Sequence, residues 1–141
     1  MTGQGVRGVR GATTTVNDPK AVVAATGELL EQLVSRNDLR SGDVAYVLFT
    51  VTPDLDAAFP ASAARLGLGW DDVPVICARE IPVPGALAGC IRVLVVWNTT
   101  KAQSEVRHAY LHGARALRPD WSVDLPGDAP LAAAVRTESR D

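Results

Sequence analysis

Lysine is scarce in this chain. Lys20 and Lys101 are the only two among 14 basic residues, and the other twelve are arginines. A high-GC genome, which enriches Arg together with Ala, Gly and Pro, explains the larger share of that bias. The remainder is chemical, because arginine offers carboxylates a planar fork of donors. Cysteine is equally sparse. Cys77 and Cys90 are too far apart for a redox or zinc pair and too few for a disulfide framework. No secretion signal opens the chain, since Met1 to Arg7 holds no apolar stretch. No apolar run approaches the length of a membrane span. A cytoplasmic protein with reduced thiols and no membrane partner is therefore expected. The formal charge of -2 supplies no overall basic field to attract nucleic acid, so any anion must be held by a local cluster. A phosphate loop, an ordered Ser/His/Asp set and a carboxylate pair suited to glycoside chemistry are all missing.

At 141 residues, 47% apolar and 21% charged, the chain can bury a real core as one domain. Asn17-Asp18-Pro19 is a helix start, with a capping side chain ahead of a first-turn proline. Val22, Thr26, Leu29, Leu30, Leu33 and Asn37 then recur at helical spacing, which predicts one long amphipathic helix ending before Arg40-Ser41-Gly42-Asp43. Val44 to Val51, Val73 to Ala78 and Cys90 to Trp97 read as strands. Gly5 to Thr14 is a fourth candidate, weakened by its glycines. Phe59 to Leu66 reads as a short helix capped by Gly67. Gln103 to Leu117 has helical composition, with a strand over Arg107 to Leu111 as the alternative. Residues 1–124 form the predicted domain, and 125–141 a loose tail. The fold class is α+β, a mixed sheet carrying one long helix. Its second apolar face must then be covered by self-association.

Arg92 sits in the most apolar run of the chain, Cys90-Ile91-Arg92-Val93-Leu94-Val95-Val96-Trp97. Its guanidinium cannot shed its charge, so a protein carboxylate or an anionic ligand must face it. Glu80, at a strand end, is the favoured protein partner, and an ordinary salt bridge is the plainer reading of that pair. Arg7 and Arg10 lie three apart in a strand and point to opposite sides, so at most one can share a site with Arg92. Two solvated edge arginines are an equal alternative. Gly5-x-x-Gly8-x-x-Gly11 has the wrong spacing for a dinucleotide fingerprint. Cys77 reads as a small core residue, and His108 and His112 as two exposed histidines with no third metal ligand. The residues alone stop at an oligomeric α+β domain with arginines placed to hold a small carboxylate.

Five ordered segments add to this: Val9-Arg10-Gly11-Ala12-Thr13-Thr14, the run from Thr52-Pro53-Asp54 to Phe59-Pro60-Ala61, Cys90-Ile91-Arg92-Val93, Arg107-His108-Ala109-Tyr110-Leu111 and Leu117-Arg118-Pro119-Asp120. Together they resemble the non-helical, trimeric class of chorismate mutase over nearly the whole chain. The resemblance implies rearrangement of chorismate to prephenate in the shikimate route to phenylalanine and tyrosine. It also implies a homotrimer with a barrel-like core, sites at subunit boundaries, and neither cofactor nor metal. Arg92 would meet the ether oxygen and a carboxylate, and Arg10 the side-chain carboxylate. Glu80 would accept from the ring hydroxyl, with Cys77 near the same hydroxyl and Tyr110 assisting at the carboxylate. Phe59, Ala61 and Leu117 would shape the wall, Ile76 would line the site, and Arg65 and Arg118 would stand at its mouth. Ser62 replaces a lysine common after Phe-Pro-Ala, Ile76 replaces a common threonine, and one turn reads Val83-Pro84-Gly85-Ala86. These departures touch the rim. A non-catalytic trimeric module holding a small carboxylate is the alternative.

Overall fold

A computed structural model describes residues 5–131. Five strands form one mixed sheet in the order β3-β2-β4-β1-β5. The elements are β1 (Gly5–Thr14), α1 (Pro19–Asn37), β2 (Val44–Val51), β3 (Val75–Arg79), β4 (Cys90–Thr99) and β5 (Ala109–Tyr110). β4 runs antiparallel to both β1 and β2, whereas β3 and β5 join the edges in parallel.

The helix takes the bounds its sequence predicts. Asp18 is extended, and its Oδ2 accepts the Ala21 N–H at 3.0 Å, just ahead of Pro19. That satisfies one of the donors a helix start leaves open. At the other end Asp38 turns left-handed at φ 51° and donates its N–H to the Val34 carbonyl. The stripe Val22, Thr26, Leu29, Leu30, Leu33 and Asn37 is the buried face. Asn37 is more than packing: its amide donates to the Arg107 carbonyl at 2.9 Å and accepts the Arg107 N–H at 2.8 Å. The end of α1 is thereby tied to the segment entering β5. Over β1 the helix lies so close that a Cβ at Gly11 would stand 2.9 Å from Leu29 Cδ1.

Strand alternation gives the sheet two unlike faces. Val9, Val47, Phe49, Ile91, Val93, Val95 and Trp97 point toward α1 and are buried. Arg10, Leu48, Thr50, Arg92, Leu94 and Val96 occupy the other face and stay half-open, and Ile76 beside them is 67% exposed. That uncovered face, carrying both apolar residues and arginines, is where the site must be sought.

Several expectations shift. β3 begins at Val75, because Pro74 has no N–H to give and offers only its carbonyl, to Val47 N. The short helix expected around Phe59 to Leu66 forms over residues 61–68 with a π-type centre at Ala63–Gly67, and the left-handed position after it is Gly69 (φ 67°), not Gly67. The stretch from Gln103 to Leu117 is no helix. The open edge of β1 recruits Ala109 and Tyr110 as β5, while His112 (φ 51°) breaks any continuation, leaving short 3-10 turns at Gln103–Glu105 and His112–Ala116. His108 and His112 are accordingly not two exposed groups; both are half-buried and hydrogen-bonded. Of the expected tail, Asp128 accepts the Leu125 N–H at 2.8 Å, and residues 132–141 lie outside the described residues.

Candidate active site

On the uncovered face, register partners Thr50, Arg92, Ala12 and Tyr110 form one row from β2 through β4 and β1 to β5. Paired residues share a face, and adjacent strands stand about 4.8 Å apart. Ala12, the smallest side chain of the four, therefore separates Arg92 from Tyr110. Arg10 lies two residues earlier on β1, on the same side. Glu80 follows β3 and donates its own N–H to the Val51 carbonyl at 2.8 Å, which swings its side chain across the row.

The result is a cleft of about 220 Å³ lined by Arg10, Leu48, Thr50, Glu80, Arg92, Val93 and Leu94. Glu80 Oε2 accepts the Thr50 hydroxyl at 2.8 Å and stands 3.8 Å from Arg92 Nη1. The second distance is too long for a hydrogen bond. Arg92 and Glu80 thus face each other across a gap and are not closed into a bidentate fork. Among the described residues the lining carries two guanidinia and one carboxylate between leucine and valine side chains. Such a site suits a small anion.

Arg10 is held from behind. Its backbone N–H donates to His108 Nδ1 at 2.9 Å. Its Cζ stands 5.9 Å from the Tyr110 ring and 5.7 Å from the Trp121 ring. Tyr110 is wholly buried, in a second apolar cluster with Ala12, Cys90, Ala114 and Leu117. Arg118 lies over Trp121 at 3.4 Å and grips Asp120 through Nε and Nη2, at 3.1 and 2.9 Å. Burial first, then the charges of Arg10 and Arg118, push His108 down to about 4.

The Thr52-Pro53-Asp54 segment anchors the start of β4. Thr52 Oγ1 accepts the Cys90 N–H at 3.0 Å, and Asp54 Oδ2 accepts the Gly89 N–H at 2.8 Å. The Thr52 hydroxyl, with the Gly89 N–H behind it, holds the Asp54 carboxyl below its ordinary range. Gly89 is required here, since φ is +60° and a Cβ would come within 2.5 Å of the Thr15 carbonyl.

Within one chain the structure brings together Arg10, Glu80, Arg92 and Tyr110, with Leu117 beneath Tyr110 and Arg118 beside Trp121. It does not bring in Cys77. That residue pairs with Phe49 and points to the α1 side, where burial pushes its thiol up. Phe59 (73% exposed), Ala61 and Arg65 stand on the surface segment around the turn at 63–67, and Ile76 faces outward from the edge strand β3. Thr50 and Trp121 are not marked by the sequence, and His108 reads there only as an exposed histidine. Strand alternation puts Thr50 on Arg92's side, but nothing local marks it as Glu80's partner. Among the described residues no three His, Cys, Asp or Glu side chains gather as a metal site, and no helix is long and apolar enough to cross a membrane.

An α+β sheet with two arginines and a glutamate in an open cleft defines a protein suited to holding a small organic anion. Comparison with known proteins makes this specific. The family model for chorismate mutase type I matches residues 6–121. A chorismate mutase AroH of Thermus thermophilus is 52% identical over 117 residues, covering 82% of this chain and 95% of that protein. The AroH of Bacillus subtilis (strain 168) is 43% identical over 119 residues, covering 84% and 94%. A solved chorismate mutase of Clostridium thermocellum superposes with a TM-score of 0.76 at 46% identity, covering 78% of this chain and 98% of that one. The chain belongs to the type I chorismate mutase family.

Proposed function

We propose that this protein rearranges chorismate to prephenate in the cleft of Arg10, Glu80 and Arg92. The reaction is a pericyclic shift within one dianion: a C–O bond of the ether breaks while a C–C bond forms. It calls for no nucleophile, metal or cofactor. As the C–O bond stretches, negative charge gathers on the ether oxygen. A fixed cation at that oxygen stabilises the transition state more than the ground state, and this difference is what accelerates a reaction. Arg92 is the cation for that task, and it also reaches a substrate carboxylate. Arg10 binds the side-chain carboxylate, assisted by Tyr110, and Glu80 accepts from the ring hydroxyl. Holding the flexible substrate in its reactive diaxial form supplies the orientational part of the effect.

The observation that carries this reading is the 3.8 Å gap between Arg92 Nη1 and Glu80 Oε2. An arginine already forked onto its acid would be structural. Arg92 and Glu80 instead line one open cleft together with Arg10, a set of charges that suits a small carboxylate with a hydroxyl.

The working unit is a homotrimer with the cleft at subunit boundaries. Val6, Ile76, Phe59, Ile81 and Val83 are 58 to 74% exposed, more apolar surface than a lone chain keeps wet. Phe59, Ala61 and Arg65 lie off the cleft of their own chain, which suits walls lent to a neighbour, whereas Cys77 packs on its own chain's core. The protein works in the cytoplasm. Family membership disfavours a binding module without turnover. The test is direct: purified protein added to chorismate must abolish the substrate's ultraviolet absorbance and yield prephenate. Tight binding with stable absorbance would establish the non-catalytic module instead.

A further inference from the structure

We propose that His108 is a positioning residue for Arg10, acting as a fixed neutral acceptor where the β1–β5 ladder runs out. This rests on the reading of Arg10 as a ligand for the substrate carboxylate. The ladder pairs Gly11 with Ala109 and Ala12 with Tyr110, then stops. One residue earlier, no β5 main-chain carbonyl is available for the Arg10 N–H. The imidazole substitutes for it, with Nδ1 taking that proton at 2.9 Å. Only an imidazole with a lone pair on Nδ1 can do so; an imidazolium offers two donors and no acceptor. The tautomer is therefore fixed, with the proton on Nε2.

Two further contacts hold the ring in that orientation. Trp121 packs against it at 3.8 Å between centroids and 31° between planes. Arg118, itself gripped by Asp120, covers Trp121 at 3.4 Å. The same indole stands 5.7 Å from Arg10 Cζ. The imidazole thus fixes the backbone that launches the Arg10 side chain, and the indole borders the space where its guanidinium lies. Around His108 stand Arg10 on β1 and Arg118 and Asp120 on the segment after β5, and Arg36 of α1 and Arg107 line the same pocket. Burial first, then the charges of Arg10 and Arg118, oppose a positive charge on the ring and keep it neutral near neutral pH.

Asparagine and phenylalanine at this position separate the requirements. In His108→Asn, Oδ1 stands close to where Nδ1 stood and still accepts. His108→Phe keeps a ring against Trp121 but accepts nothing. The expected result is a KM for chorismate raised about three- to tenfold in His108→Phe, the worth of one lost hydrogen bond. His108→Asn should stay within about twofold of the parent on that scale. In an Arg10→Ala background the KM effect of His108→Phe should vanish while its loss of melting temperature persists, because the N–H at residue 10 is still orphaned. An equal KM effect in both backgrounds, or none in folded protein, overturns the proposal. If Arg10→Ala itself leaves KM and kcat unchanged, the fault lies with Arg10's assignment as a substrate ligand. Should the Phe variant not fold, ¹⁵N spectra of the parent decide: with two histidines to assign, an unprotonated Nδ1 on His108 from about pH 5 to 8 supports the mechanism, and a protonated one refutes it.

Discussion

Thr50→Val removes the hydroxyl that separates Glu80 from Arg92 and changes little else. Valine matches threonine in shape and in strand preference, so β2 and its pairing with Arg92 should survive. In the parent, Glu80 Oε2 has a donor at 2.8 Å in Thr50 and a cation at 3.8 Å in Arg92. With the donor gone, a shift of about 1 Å closes the carboxylate onto the guanidinium at hydrogen-bonding distance. In a medium of effective dielectric 20 the attraction of two unit charges rises from about 4 kcal/mol at the present 3.8 Å to about 6 kcal/mol at hydrogen-bonding distance, and that difference is an upper bound on the gain. Both side chains are about a quarter exposed, at 23 and 24%, so water and side-chain entropy reduce the net worth to about 1 kcal/mol. Substrate must break that pair before using Arg92. The expected outcome is kcat/KM for chorismate lowered about fivefold, with Thr50→Ser near the parental value. The ultraviolet assay measures it, with melting temperature as the folding control. A folded Thr50→Val enzyme at parental kcat/KM would refute the idea that Thr50 keeps acid and cation apart.

Other expectations follow from separate parts of the molecule. His112 has Glu28 Oε1 at 2.7 Å from Nε2 and Asp128 Oδ1 at 3.1 Å from Nδ1. Burial alone would lower its pKa, but the two carboxylates outweigh that and raise it. A raised pKa gives stability that is full below the ordinary value near 6.5 and lost as pH climbs through the folded value. The melting temperature of the parent should therefore fall relative to His112→Gln from about pH 6.5 upward, and parallel curves would contradict the clamp. Gly89→Ala forces a Cβ to within 2.5 Å of the Thr15 carbonyl at φ +60°, and should cost about 2 kcal/mol or more in urea unfolding. Under the proposed homotrimer the parent should sediment near three times 14.9 kDa and Ile76→Lys should shift it toward the single chain, with activity lost in parallel if the cleft is shared between subunits. Because no proton moves in the rearrangement, kcat should be nearly flat from about pH 6 to 9; a bell there would indicate acid/base chemistry.

How far the sequence reveals the molecule depends on the range of the interaction. α1 was legible nearly to its bounds, since its Asp18-Pro19 start and its buried stripe are local signals. β2 and β4 were legible from runs rich in β-branched and aromatic residues. β5 was legible only as the alternative strand over Arg107 to Leu111, because two residues carry no periodicity, and Ala109 and Tyr110 become a strand only when the edge of β1 recruits them. The shared face of Arg10 and Arg92 depends on β1 pairing with β4 across more than eighty residues, which no local pattern encodes. The family resemblance supplied that link. The bonds from Thr50 to Glu80 and from Arg10 to His108 are likewise products of register. A lone threonine or histidine gives no hint of its partner until the strands are laid side by side.

The central claim concerns the charge and shape of one side chain, and Arg92→Lys tests it without removing the positive charge. A lysine ammonium is a point donor and cannot span the ether oxygen and a carboxylate together. Single-turnover rates of chorismate loss with saturating enzyme should fall by about 10²–10³ or more, the size associated with losing a preorganised donor at a developing oxyanion. A lysine variant that turns over chorismate at close to the parental rate would contradict the account.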